Sequence, residues 1–449
     1  MRRRIWGWMM FDWASQPYAT LLLTFIFAPY FATVVGDPVR AQTLWGAMLG
    51  VVGICIALLA PVLGAVADSS GRRTPWIVTF SVIYTVAAFA LWWAVPASEN
   101  VIWILVVFGA GLWGMEFATV FTNAMLPDLG AREEIGRISG TGMAWGYAGG
   151  VLSLIFVLLL LAENDGGTTL LGGPPILGLD PAEREGTRAV GPFTALWYLV
   201  FMIPFFLWVR EAPGRRVRPR VLQGLADLGR TLRRLPSNPS LGAYLASSMF
   251  YRDALTGMYT FGGIYATGVL GWSVIDTGIF GILAATSAGV FCWIGGRADS
   301  TFGPKPVIIA GIVVLIVTGI VAIATSRGSV FGIAVPAESA LPDITFYFVG
   351  MAIGAAGGIV QAASRTMLVR QADVTRMTEA FGLYALAGKA TSFLAPASIA
   401  IVTDATGSQR AGIAPLILLF LIGLVLLLWV KPDGKRAVTW SAAPSPNSP

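Results

Sequence analysis

Mostly apolar runs of roughly twenty residues recur along the whole chain, and this pattern constrains the fold more than any other feature. An α-helix rises 1.5 Å per residue, so about 20 residues cross the ~30 Å hydrocarbon core of a bilayer. Runs of that kind fall near 9–35, 43–67, 75–95, 100–128, 137–162, 191–210, 240–268, 275–297, 305–326, 342–370, 378–404 and 411–430. They lack strict polar/apolar alternation, which disfavours a β-barrel. Only 12% of the 449 residues are charged, about half the share in a soluble domain. The expected class is an all-α integral membrane protein with twelve transmembrane helices.

Composition removes several chemistries. There is no histidine, so His-based metal sites, Ser-His catalysis and the commonest proton shuttle are absent. Cys55 and Cys292 fall within apolar runs and read as packing residues. No nucleotide-binding loop of the Gly-xxxx-Gly-Lys type occurs. No enzyme activity, cofactor or metal is expected.

Basic residues set the orientation. With the N-terminus inside, the inner loops hold Arg72, Arg73, Arg132, Arg137, the group from Arg215 to Arg234, Arg297, Lys305, Arg370, Arg376, Lys431, Lys435 and Arg436. The outer loops hold Arg40, Arg184, Arg188, Arg327 and Arg410. The positive-inside rule then places both termini in the cytoplasm. The net charge of +6 is a topology signal and needs no nucleic acid. The 26 arginines against 4 lysines fit a GC-rich bacterial genome and hence a bacterial cytoplasmic membrane.

The loops divide the chain. A Gly- and Pro-rich stretch at 163–190 lies outside, and a basic one at 211–239 joins two bundles, 1–210 and 240–431. In this linker Val221, Leu222, Leu225, Leu228, Leu232 and Leu235 recur at helical spacing against Arg230, Arg233 and Arg234. Two readings stay open: a helix lying on the inner membrane face, or one packed under the bundle. The Pro/Ser-rich tail at 432–449 is expected to be disordered.

An internal repeat supports two halves. Gly64-Ala-Val-Ala-Asp68-Ser-Ser-Gly71-Arg72-Arg73 joins spans two and three. Gly295-Gly-Arg-Ala-Asp299-Ser-Thr-Phe-Gly303-Pro-Lys305 joins spans eight and nine with one extra residue. Asp12 in span one is echoed by Asp253 in span seven.

The first loop resembles the Gly-xxx-Asp-xx-Gly-Arg-Arg loop of the major facilitator superfamily, with Ser69 where that family often has a base. Further segments are similar to the autophagy-related vacuolar amino-acid effluxers and their bacterial relatives. They are Phe11-Asp12-Trp13-Ala14-Ser15-Gln16-Pro17-Tyr18-Ala19-Thr20, Asn123-Ala-Met-Leu-Pro127-Asp128, Gly146-Tyr147-Ala148-Gly149-Gly150 and Phe381 to Lys389. The resemblance implies the facilitator fold: two six-helix bundles related by a pseudo-two-fold, with spans one, four, seven and ten lining a cavity. It also implies amino-acid export, and a monomer is expected. Tyr251-Arg252-Asp253 departs from the pattern at Arg252.

Candidate site residues follow from insertion cost, roughly 2.5–3.5 kcal/mol for a charge at a helix centre. They are Asp12, Glu116, Arg252, Asp253 and Lys389, with Asn123 and Gln361 as neutral partners. Counting in from the span ends puts Arg252 and Lys389 at about 16 Å and Glu116 at about 18 Å from the inner surface. Both signs in one layer suit a zwitterion; the alternative is internal pairing of Arg252 with Glu116 or Asp253. Without histidine a carboxylate must carry any coupling proton, and Glu116 is the candidate because nothing basic adjoins it in sequence. Gly64, Asp68, Gly71, Arg72, Arg73, Asp299, Gly303 and Lys305 are the candidate gate, whose ion pairs hold one arrangement of the halves. The expected function is secondary active transport of a small solute by alternating access. A transporter-like receptor or lipid-handling protein without turnover is the alternative.

Overall fold

The computed structural model describes residues 2–164, 166–211, 221–272, 274–336 and 338–434. The expected disordered tail from 435, with Lys435 and Arg436, and the linker arginines between 212 and 220 lie outside the described residues.

Span one is not a single rod. Arg2–Pro17 continues as a π-helical stretch, Tyr18–Phe25, and bends by 47° at Ile26 into Phe27–Val35. Pro17 has no N–H to give the carbonyl of Trp13; the indole of Trp197 donates to that oxygen instead, at 3.2 Å. Span two is Pro38–Ser70, opened by Asp37, whose carboxylate accepts from the backbone of Val39 and Arg40. Gly71 closes it with φ +71°, a conformation glycine adopts without a Cβ penalty. Spans three to six are Thr74–Ala90, Val101–Asn123, Ile135–Leu160 and Val190–Trp208. The linker helix is Val221–Arg234. Spans seven to ten are Pro239–Leu270, Val274–Phe302, Pro304–Ile323 and Leu341–Gln371. Span eleven breaks into Met377–Ala390 and Leu394–Thr406, and span twelve is Ala414–Leu427.

Among the described residues, ten helices are long and apolar enough to cross a membrane, and the bent first span makes eleven. Span seven has the length, 32 residues, but is too polar to qualify by composition. Its polar groups turn inward. Ser247 donates to the carbonyl of Gly423, Tyr244 to that of Ser364, and Tyr251 shares a hydrogen bond with the Ser364 hydroxyl. A span whose polar face is satisfied by neighbours needs less lipid-facing area.

The six-span halves meet along two seams, span two against span eleven and span five against span eight. Glycine permits both. A Cβ on Gly64 would meet the Thr378 carbonyl, one on Gly382 the Ala60 carbonyl, and one on Gly140 the backbone of Cys292 and Gly296. Glycines in spans five and ten also let neighbouring helices approach closely. Gly146 and Gly149 meet Asp12 and Trp13, while Gly350 and Gly354 meet Phe280 and Ala284. The linker helix combines features of both readings: Gly224 packs on Val66 of span two, while Leu225 and Leu232 are exposed.

Candidate functional site

One arginine closes the space between the halves. Arg365, in span ten, reaches into the other half at the end of the molecule that carries the Gly64–Arg73 loop. Its Nη1 lies 3.0 Å from Asp12 Oδ2 and donates to Asn123 Oδ1 at 3.2 Å. Its Nε donates to the Ser139 hydroxyl at 3.2 Å and its Nη2 to the Ser139 carbonyl at 2.7 Å. Ser139 in turn donates to the carbonyl of Ala362, and the guanidinium sits 5.5 Å from the ring of Trp8. Spans one, four and five therefore converge on a single buried cation of span ten. A forked, hydrogen-bonded guanidinium suits this because it satisfies several acceptors in one fixed geometry.

The loop motif forms a second tie at the same end. Asp68 accepts from the backbone N–H of Glu379 at 2.8 Å and of Thr378 at 3.3 Å, the first turn of span eleven. A carboxylate there caps unpaired donors and faces the positive end of the helix dipole. Arg73 lies 3.8 Å from Asp68, 3.1 Å from Asp128, and donates to the Thr378 hydroxyl at 3.0 Å. Glu211 fixes the loop by accepting from the backbone of Arg73 and Thr74. Arg72 lines a cavity of about 470 Å³ beside Arg4 and Glu211. In the second copy Asp299 is buried within its own half, beside the Thr366 hydroxyl and the Arg370 guanidinium. There Ser300 accepts from the backbone of Arg137 at 2.9 Å. Gly303 has φ +84°, and Lys305 donates to the carbonyl of Val430 at 2.8 Å, tying spans nine and twelve.

The other candidates separate. Glu116 and Lys389 pair across the halves at 3.2 Å, and about a third of each side chain is exposed. Arg252 joins neither Glu116 nor Asp253. It donates to the Tyr384 carbonyl at 2.7 Å and stacks over that ring at 3.9 Å. Asp253, expected on the cavity wall, is 2% exposed and accepts from the backbone of Ala395 at 2.9 Å. It caps the second segment of span eleven, so the break in that span supplies the donor. Gln361 donates to the hydroxyls of Tyr147 and Tyr259, one from each half, at 3.3 and 3.4 Å. Beyond the Arg365 cluster, away from the loop end, a cavity of about 410 Å³ lies between the halves. Gln16, Thr20, Tyr147, Tyr259, Thr277 and Phe280 are among its walls.

Arg365, Ser139, Glu211 and Tyr147 were not among the candidates. Arg365 lies six residues before the end of span ten and reads in sequence as an end charge. The usable signal was the Ser-Arg-Thr triplet at 364–366 inside an otherwise apolar run.

The family model described as "Vacuole effluxer Atg22 like" matches residues 31–438. The chain belongs to that family. The similarity read from spans one, four, five and eleven is thus borne out. An uncharacterized MFS-type transporter, YxiO of Bacillus subtilis, is 24% identical over 445 residues, covering 96% of both chains. Autophagy-related protein 22 of Coccidioides immitis is 25% identical over 320 residues, 67% of this chain and 49% of that protein. The chain thus spans about half the length of that fungal relative. Among solved structures, the proton:xylose symporter XylE superposes with a TM-score of 0.69 at 13% identity, covering 99% of this chain and 96% of its own. The fucose transporter FucP in its outward conformation gives 0.66 at 14% identity, covering 96% and 98%. The fold is that of the major facilitator superfamily, a multi-pass membrane fold of transporters and not of enzymes.

Proposed function

We propose that the chain is a secondary active transporter that moves a small solute by alternating access of its halves, residues 1–210 and 240–431. The observation that carries this is the Arg365 cluster. A single buried cation ties three spans of one half to the other at the loop end, while a cavity persists beyond it. Such a tie has two discrete states, made and broken, which a rocking mechanism requires. The Asp68 cap on span eleven breaks in the same movement.

The solute we assign is an amino acid, and the direction is efflux. Two features support this: the effluxer family, and the partly exposed Glu116–Lys389 pair. Those two groups can part to receive an ammonium and a carboxylate. Glu116 is also the carboxylate we assign to proton coupling. The basic residues at the loop end favour a bacterial cytoplasmic membrane with both termini inside. A monomer is the assembly proposed.

The test is counterflow of labelled amino acids by the purified protein in lipid vesicles, with and without a pH gradient. Flux that is lost in Lys389→Met and Glu116→Gln is the expected result. Binding without flux would instead identify a receptor-like protein. Flux indifferent to the gradient would remove the proton from Glu116.

A further inference from the structure

We propose that each half carries, at the end opposite the Gly64–Arg73 loop, an apolar foot seated in the hydrocarbon of that leaflet. In the first half the foot is the turn Thr169–Gly173 with Leu177; in the second it is the hairpin around Phe331 and Ile333.

Both feet are built the same way. After span five the chain folds back, and the backbone of Leu170 donates to the carbonyl of Leu158, in the last turn of that span, at 3.0 Å. After span nine the backbone of Phe331 donates to the carbonyl of Ala324, at the end of that span, at 3.0 Å. Each loop therefore lies level with the end of a membrane-crossing helix instead of rising away into water. What it presents there is apolar and uncovered. Leu170, Leu171 and Leu177 are 73%, 66% and 85% exposed, and Phe331 and Ile333 are 60% and 70% exposed. Large exposed apolar side chains gathered in one loop mark an interaction surface.

Two backbone outliers point the same way. Leu177 and Phe331 have φ +66° and +53°, a region that L side chains rarely adopt. Strain held at the residue that points outward is a functional signal when it is observed directly. Each foot holds one such residue; among the described residues Ala97 and Arg184 share the region elsewhere in the first half.

The occupant follows from continuity with the lipid-facing surface of the same spans. Span five exposes Leu152, Ile155 and Phe156 toward the foot, and span nine exposes Val313, Val317 and Ile320. The feet extend these stripes past the helix ends. Polar ties hold the first foot's loop from behind: buried Glu163 accepts from the backbone and hydroxyl of Thr187 and lies 3.3 Å from Arg184. Glu163 thus turns toward the protein, while the exposed carboxylates of the loop, Asp180 and Glu183, follow Leu177 in the chain.

The test is spin-label depth in the full chain, reconstituted in phosphatidylcholine vesicles on a Cys55→Ser, Cys292→Ala background. Nitroxides are placed by Leu171→Cys and Phe331→Cys, with exposed Ala182→Cys in the same loop as the aqueous control. Oxygen concentrates in hydrocarbon and a neutral nickel chelate in water. Labels at 171 and 331 should collide severalfold more with oxygen than with the chelate, and the label at 182 the reverse. A chelate that reaches 171 and 331 as freely as 182 overturns the proposal. Protection from both reagents also overturns it, because protein would then cover the feet. If one label alone behaves as lipid-exposed, the foot of the other half is refuted. Should Leu171→Cys fail to insert, Leu170→Cys reads the same turn.

Discussion

The two seams at the loop end carry copies of one motif and use it differently. At the seam of spans two and eleven, Asp68 crosses to the other half and takes two backbone N–H groups. At the seam of spans five and eight, Asp299 stays buried beside Thr366 and Arg370 of its own half, and closure rests on glycine contact and on Ser300. Arg365 stands between the seams. The difference teaches that a repeated motif transmits a backbone shape more faithfully than a set of bonds. The glycines turn the chain in both copies, whereas the aspartate forms a tie only where a helix N-terminus is in reach.

Four substitutions would break or sharpen this contrast. The largest effect is expected from Arg365→Met, which leaves Asp12, 13% exposed, without its cation. Losing one partner of such a pair costs about 3–5 kcal/mol, so counterflow should fall about 100-fold or more at 1.36 kcal/mol per tenfold. Asp68→Ala strips two charge-assisted bonds from one seam only, and a cost of about 1.5–3 kcal/mol should appear as wider label-to-label distances across spans two and eleven. Unchanged distances would show that Arg365 closes the end alone. Gly140→Ala pushes a methyl against the Gly296 and Cys292 backbone. That overpacking costs about 1–3 kcal/mol and should open the five/eight seam while leaving the Asp68 tie in place. Smallest is Asp299→Asn, which removes a charge whose neighbours, Thr366 and Arg370, lie in its own half and tie nothing across the seam. Thermal stability should stay within about 0.5 kcal/mol of the parent or rise. A large loss there would mean that Asp299 works as Asp68 does, and the contrast between the seams would fail.

How much was legible in the sequence depended on the range of the interaction. The Gly64–Arg73 loop was readable because its turn is local: Gly71 ends one helix and Arg73 opens the next. Glu116 and Lys389 were picked out by the cost of burying charge, but their pairing with each other was not. The expected partner, Arg252, spends itself on Tyr384 one helix away. Asp253 looked like the twin of Asp12 by position, yet the break in span eleven gives it a backbone donor that Asp12 lacks.

The sequence alone determined where the membrane-crossing segments lie and how apolar they are, because hydrocarbon exacts a cost from every exposed polar group irrespective of neighbours. It also determined that two halves repeat, and where glycine must turn the chain. Only the tertiary structure decided which charges meet. Asp12 and Arg365 stand 353 positions apart in the chain, and a Coulomb attraction depends on their distance in space. That distance is set by how the two bundles pack, which no local pattern records.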